Sequence, residues 1–171
     1  AASDGVGRGA TFSLGLNTAP APAVTADAKR TPDSTLPIPP LRILLAEDHE
    51  PTRAALERLL TRSGHCVQAA GTVGGALELA AEGSFDLLVS DLGLPDASGL
   101  DLMSELRSRY HLPGIALSGY GMEEDVKASA AAGFAAHLTK PIDWRRFEET
   151  LRSLIRPDGA LASVLAKAGK R

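Results

Sequence analysis

Five polar side chains, far apart in the chain, fall where apolar runs end. Glu47 and Asp48 follow Arg42-Ile43-Leu44-Leu45-Ala46, and Asp91 closes Leu87-Leu88-Val89-Ser90. Ser118 ends the run that starts at Gly114, and Lys140 follows the run Ala135 to Leu138. Asp91 is the most telling of them, because a carboxylate at the end of a buried strand, leading into Leu92-Gly93-Leu94-Pro95-Asp96-Ala97-Ser98-Gly99, is poorly explained as packing. Brought together, three carboxylates would repel and raise one another's pKa unless a cation sat among them. A sparse, all-oxygen donor set with room for water suits Mg²⁺. Lys140 offers a mobile point charge for a phosphate oxygen, and Ser118 a hydroxyl donor. The set matches a carboxylate nucleophile that accepts a phosphoryl group, where catalysis is mainly positioning and charge neutralisation. Singly, each residue has a plainer reading. Glu47 and Asp48 are helix-capping acids, Asp91 caps its loop, Ser118 is a strand-end hydroxyl, and Lys140 is a solvated charge. Joint placement carries the argument.

That placement depends on the elements between them. Pro51 suits a first helical turn, where its missing N–H costs little. Leu56, Leu59 and Leu60 then stripe the helix, and Gly64 stops it. His65 to Ala70 reads as a second strand near an edge, given its polar content. Thr72 can cap a helix carrying Val73, Ala76, Leu77 and Ala80. Asp86 to Ser90 is the predicted third strand, and Leu100, Met103 and Leu106 stripe the next helix. Gly114 to Ser118 is the fourth strand, residues 122–132 an Ala-rich helix ended by Gly133, and Ala135 to Leu138 the fifth strand. Phe147, Leu151, Leu154 and Ile155 stripe the last helix. Five short apolar strands alternating with five helices imply an α/β, doubly wound, five-stranded parallel sheet covered on both faces. Ligands of such sheets bind beyond the carboxyl ends of the strands, where strand order reverses. All five polar residues are expected on that rim.

Composition narrows the alternatives. With 171 residues, 44% hydrophobic and 23% charged, the chain is long enough for one well-buried domain with tails. The net charge of −3 argues against a nucleic-acid partner or a membrane-surface role. Residues 41–155 are more acidic than the whole, with 11 Lys/Arg against 17 Asp/Glu, which fits a cation site or simply a solvated acidic surface. The single cysteine, Cys66, excludes an intrachain disulfide and reads as a buried small hydrophobe, in keeping with a reducing, cytoplasmic setting. No apolar run approaches the ~20 residues of a membrane span, and no signal peptide is evident. Residues 17–40, with Pro20, Pro22, Pro32, Pro37, Pro39 and Pro40, read as a linker. Residues 156–171 read as a tail, either a short helix from Leu161 to Ala168 or disordered.

The motifs Leu44-Leu45-Ala46-Glu47-Asp48, Asp91 through Gly99, Ala116-Leu117-Ser118-Gly119 and Leu138-Thr139-Lys140-Pro141 strongly resemble those of the receiver domain of two-component response regulators, over residues 41–155. The resemblance implies a flavodoxin-like fold with strand order 2-1-3-4-5, an order known for this fold. It implies that Asp91 is the phosphoacceptor, that Glu47, Asp48, Asp91 and the backbone carbonyl of Gly93 hold Mg²⁺, and that Ser118 and Lys140 contact the phosphoryl oxygens. It also implies a cis Lys140–Pro141 bond. Two positions depart from the commonest pattern. Gly93 is smaller than usual and leaves an acyl phosphate more open. His137 stands at the aromatic switch position, where a titratable ring adds pH dependence. The expected partners are a histidine kinase or a histidine phosphotransfer domain, with a homodimer through the fourth helix, fifth strand and fifth helix as a further option.

Residues 1–16, with Ser3-Asp4-Gly5-Val6-Gly7-Arg8-Gly9-Ala10-Thr11-Phe12-Ser13-Leu14, resemble the end of a histidine-kinase ATP-binding domain. Remnant, linker and receiver in that order resemble the C-terminal part of a hybrid sensor kinase, whose parent chain would be membrane-anchored or soluble. The phospho-His and ATP-binding motifs are absent from these residues. The stretch is therefore expected to catalyse at most its own phosphorylation and dephosphorylation. Two rival classes are a receiver-like interaction module with no phosphoryl cycle and a Mg²⁺ phosphohydrolase. The hydrolase would normally need a second acid soon after Asp91, where Gly93 stands.

Overall fold

The computed structural model describes residues 38–119, 123–155 and 158–162. The expected kinase remnant (1–16) lies outside these residues, as do most of the linker and most of the tail. Five strands, β1 (Arg42–Ala46), β2 (Cys66–Ala70), β3 (Leu87–Asp91), β4 (Gly114–Ser118) and β5 (Ala136–Thr139), alternate with α1 (Glu50–Arg62), α2 (Val73–Glu82), α3 (Gly99–Tyr110), α4 (Glu123–Ala132) and α5 (Trp144–Ile155). The sheet is parallel throughout, in order β2-β1-β3-β4-β5. This is the doubly wound α/β fold expected from the sequence.

Alternation along each strand divides the core in two. Ile43, Leu45, Val89, Ile115 and Leu117 pack with Leu56 and Leu60 of α1 and Phe147, Leu151 and Leu154 of α5. Leu44, Ala46, Leu88 and Ala116 face the other way, against Ala76 and Ala80 of α2 and Leu102, Met103 and Leu106 of α3. Nearly all these side chains are fully buried. At roughly 1.5–3 kcal/mol for each Val, Leu, Ile, Met and Phe among them, they supply most of the drive to fold.

Local signals set the helix ends. Thr72 accepts the N–H of Gly75 at 3.0 Å, as its capping position predicts. Gly64 and Gly133 follow α1 and α4 at φ of 91° and 103°, a region open to glycine at little cost. Strand ends move by one residue from the expectation because pairing decides them. Asp91 pairs with Leu117 and so belongs to β3, while Thr139 pairs with Ser118 and extends β5. His65 falls outside β2, its N–H bonded to Leu60 O at 3.1 Å in the turn that closes α1.

Cys66 corrects the sequence reading. It is exposed, not buried. β2 is an edge strand with Val67 and Ala69 turned onto the α1/α5 core, so the alternate positions Cys66 and Gln68 face solvent.

Candidate phosphoacceptor site

The carboxyl ends of β1, β3, β4 and β5 bring the polar residues to one rim. Glu47 and Asp48 leave β1, Asp91 ends β3, Ser118 ends β4, and Lys140 follows β5. Carboxylate oxygens of Glu47, Asp48 and Asp91 lie within 4.8 Å of one another. Lys140 Nζ sits between two of them, 2.5 Å from Asp91 Oδ2 and 2.6 Å from Glu47 Oε2. Burial alone would lower the ammonium's pKa, but Asp91 and then Glu47 outweigh it and raise it above its ordinary value. The Lys140–Pro141 peptide is cis. Asp86, another buried carboxylate, is at the opposite rim, where it pairs with Arg42 at 3.0 Å.

The donor set fits a divalent cation. Glu47 is fully buried, yet neither side-chain oxygen receives a hydrogen bond of good geometry among the described residues, and the ion pair with Lys140 engages Oε2 alone. A buried carboxylate oxygen with no partner is costly. A hard cation shared with Asp48 and Asp91 would satisfy it. Gly93, two residues past Asp91, is exposed with open space around it, and its N–H donates to Asp91 Oδ1 at 3.1 Å.

Four further residues shape the rim. Asp96 accepts the N–H groups of Val73 and Gly74 at 2.8 and 2.9 Å, joining the loop after Asp91 to the start of α2. Those bonds, Gly74 first, hold its pKa below the ordinary value. Gly99 packs so closely on the Asp91 carbonyl that a Cβ has no room. Arg53 donates from Nη1 to the carbonyls of Glu47 and Asp48. The fourth, Ser129 of α4, bonds to His137. His137 Nε2 lies 2.8 Å from Ser118 Oγ, and Nδ1 lies 2.9 Å from Ser129 Oγ. The ring therefore points inward, between the rim and α4. The sequence reading singled out neither Arg53 nor Ser129. In the sequence, the only sign of the latter was a Ser set among the alanines of residues 128–132.

A doubly wound parallel sheet with three carboxylates and a lysine at its rim is the arrangement that the sequence motifs predict for a receiver domain. Residues 43–152 match the response regulator receiver domain. Thus the chain belongs to the receiver family of two-component systems. It is 34% identical over 119 residues to the sensory/regulatory protein RpfC of Xanthomonas campestris pv. campestris, covering 67% of this chain and 16% of that protein. It is 35% identical over 130 residues to the two-component response regulator PhoP of Pseudomonas aeruginosa, covering 75% of this chain and 58% of that protein. The aerobic respiration control sensor protein ArcB of Escherichia coli is 34% identical over 139 residues, 80% of this chain and 18% of ArcB. The chain thus spans less than two thirds of the length of each of these relatives. Among solved structures, the non-phosphorylated HemR receiver domain of Leptospira biflexa superposes with a TM-score of 0.62 at 32% identity, covering 70% of this chain and 98% of that one. A CheY-like receiver domain from Methylobacillus flagellatus gives 0.61 at 28%, covering 67% and 98%. Among the described residues, no helix is long and apolar enough to cross a membrane.

Proposed function

We propose that this domain accepts a phosphoryl group from a phosphohistidine onto Asp91 and uses the change to switch protein contacts. The observation that carries the reading is the placement of Lys140 Nζ between Asp91 and Glu47, inside a three-carboxylate cluster. Glu47, Asp48, Asp91 and the Gly93 carbonyl would hold Mg²⁺, which would neutralise charge gathering on the transferring group. An oxygen of the Asp91 carboxylate attacks the phosphorus as the P–N bond of the phosphohistidine breaks and its imidazole leaves. Lys140 then turns from the carboxylate to a phosphoryl oxygen, a shift its flexible stem allows. Ser118 donates to a second phosphoryl oxygen, and in doing so exchanges its contact with His137. His137 reports the exchange to the face made by α4, β5 and α5.

A groove of about 380 Å³ beside Lys140, lined by Pro51, Thr52, Ala55, Leu56, Pro141 and Ile142, offers an apolar bed for the protein that carries the phosphohistidine. That protein is a histidine kinase or a histidine phosphotransfer domain. A homodimer would use the α4–β5–α5 face. In the same reading, residues 1–16 end a kinase ATP-binding domain, residues 17–40 link it to the receiver at 41–155, residues 156–171 form a tail, and the setting is cytoplasmic. Similarity to two proteins named as sensors, RpfC and ArcB, supports the hybrid-kinase context.

The test is labelling by acetyl phosphate with Mg²⁺. The wild-type chain should be labelled, and Asp91→Asn should not. Full labelling of the variant would move the acceptor elsewhere. If neither acetyl phosphate nor beryllofluoride engages the wild-type protein, an interaction module without a phosphoryl cycle becomes the better reading.

A further inference from the structure

The acidic pair sits where β1 gives way to the loop that leads into α1, and its two members are held unequally. Glu47 is anchored through its N–H, which donates to Ala70 O at 3.0 Å, through its burial and through the ion pair with Lys140. Asp48 is exposed. Three carboxylates within 4.8 Å repel one another, and the exposed member can relieve that repulsion by swinging into water.

Arg53, on the first turns of α1, opposes this movement. Its own N–H is fixed to His49 O at 3.0 Å. Its Nη1 donates to Glu47 O at 2.8 Å and to Asp48 O at 3.1 Å. One nitrogen thus clamps two successive carbonyls at the point where β1 gives way to the loop. The guanidinium is also a permanent positive charge beside an acidic cluster. Gly71, at the end of β2, makes room for it. A Cβ there would stand 3.1 Å from Nη1 and 3.9 Å from Glu47 O. Gly71 thus leaves open the space that the guanidinium occupies beside the backbone of the acidic pair.

We propose that Arg53 is a positioning residue for the acidic pair: by clamping the carbonyls of Glu47 and Asp48, it presets their carboxylates for a divalent cation, with Gly71 as the space the clamp requires. This rests on the Mg²⁺ site of the preceding reading. Arg53 touches no transferring atom and acts through the loop it holds.

The experiment is a calorimetric Mg²⁺ titration of the full 171-residue chain as wild type, Arg53→Ala, Arg53→Lys and Gly71→Ala. Melting in EDTA and the amide spectrum of Glu47, Asp48 and His49 in EDTA accompany it. Support for a metal ligand of this kind is worth about 10- to 100-fold in affinity. Arg53→Ala is expected to weaken Mg²⁺ binding by about that factor, with broadened or shifted Asp48 and His49 amides before any metal is added. Arg53→Lys keeps the charge but not the reach, so its affinity should stay low. Gly71→Ala should fall between, because it pushes Nη1 away without removing it. If Arg53→Ala fails to fold, Gly71→Ala carries the test alone. Wild-type affinity in Arg53→Ala or, should that variant not fold, in Gly71→Ala overturns the proposal. Full rescue by lysine also overturns it, since charge and not positioning would then be the cause. If the wild type itself fails to bind Mg²⁺, the underlying metal reading falls first, a distinct result.

Discussion

His137 Nδ1 and Ser129 Oγ are 2.9 Å apart, a hydrogen bond that ties β5 to α4. Ser129 Oγ donates its own proton to Val126 O at 3.0 Å, so toward the ring it must accept. In the neutral imidazole the proton therefore sits on Nδ1, and Nε2 offers its lone pair to Ser118 Oγ, 2.8 Å away. The Ser118 hydroxyl is thus linked through one ring to the backbone of α4. Its contact with Nε2 competes with donation to a phosphoryl oxygen.

Ser129→Ala should break this link beyond His137 while leaving Asp91 untouched. Labelling by acetyl phosphate is expected to stay at the wild-type level. The amide shifts that beryllofluoride induces in α4 should shrink. Losing both Ser129 hydrogen bonds, with the His137 Nδ1–H left without its acceptor, should cost about 1–3 kcal/mol in urea unfolding. An α4 response of wild-type size would take Ser129 out of the route.

Lys140→Met leaves the buried Glu47 carboxylate without its ammonium. Because the native pKa of Lys140 is raised above 10.5, the stability it contributes is fully present below that pH and is lost only as pH rises through the raised value. The wild-type pair should therefore hold constant from pH 6 to 9. Removing one partner of a mostly buried pair should cost about 3 kcal/mol at pH 7. Saturating Mg²⁺ should return part of that loss, since the cation takes over the neutralising role. Urea unfolding with and without Mg²⁺ measures both effects, and a loss indifferent to Mg²⁺ would count against a shared site.

The sheet was legible because a parallel sheet buried on both faces reads as continuous apolar runs, as in Ile43-Leu44-Leu45-Ala46. Its rim was legible because polar residues at the carboxyl ends of such runs have one place to go. The clamps were not. Arg53 binds the carbonyls of the loop just before its own helix and Asp96 the N–H groups at the distant start of α2, and a backbone carbonyl or N–H has no signature in the residue sequence. Cys66 was misread because its run is apolar, while its side faces out of an edge strand.

Gly99→Ala tests how tightly the acceptor loop is fitted. Gly99 opens α3, and its N–H bonds to Leu92 O at 3.0 Å. A Cβ there would strike the Asp91 carbonyl oxygen and come within 3.0 Å of Leu92 Cα. Backbone cannot turn aside as a side chain can, so the loop or the helix start must shift. Overpacking of this kind costs about 1–3 kcal/mol. Thermal unfolding should show the loss, and acetyl phosphate should label Asp91 more slowly. Wild-type values for both would mean that the loop absorbs the methyl group without moving the acceptor.

His65 should make stability fall in mild acid. It is 3% exposed, and its Nδ1 accepts the N–H of Leu41 at 3.2 Å, which requires the neutral ring with its proton on Nε2. Burial pushes its pKa below 6.5 despite the opposing pull of Glu148. The unfolded chain therefore takes up the proton first as pH falls. The contribution is complete above pH 6.5 and declines as pH drops from there through the lowered native value. Carboxylates also titrate in acid, so the comparison must be with a variant that keeps the acceptor and loses the titration. His65→Asn presents an amide oxygen near the position of Nδ1. Unfolding free energies of the two proteins, measured in urea from pH 7.5 down to 5, should diverge in slope, with the wild type losing more. Parallel slopes would show that the imidazole is not the group responsible.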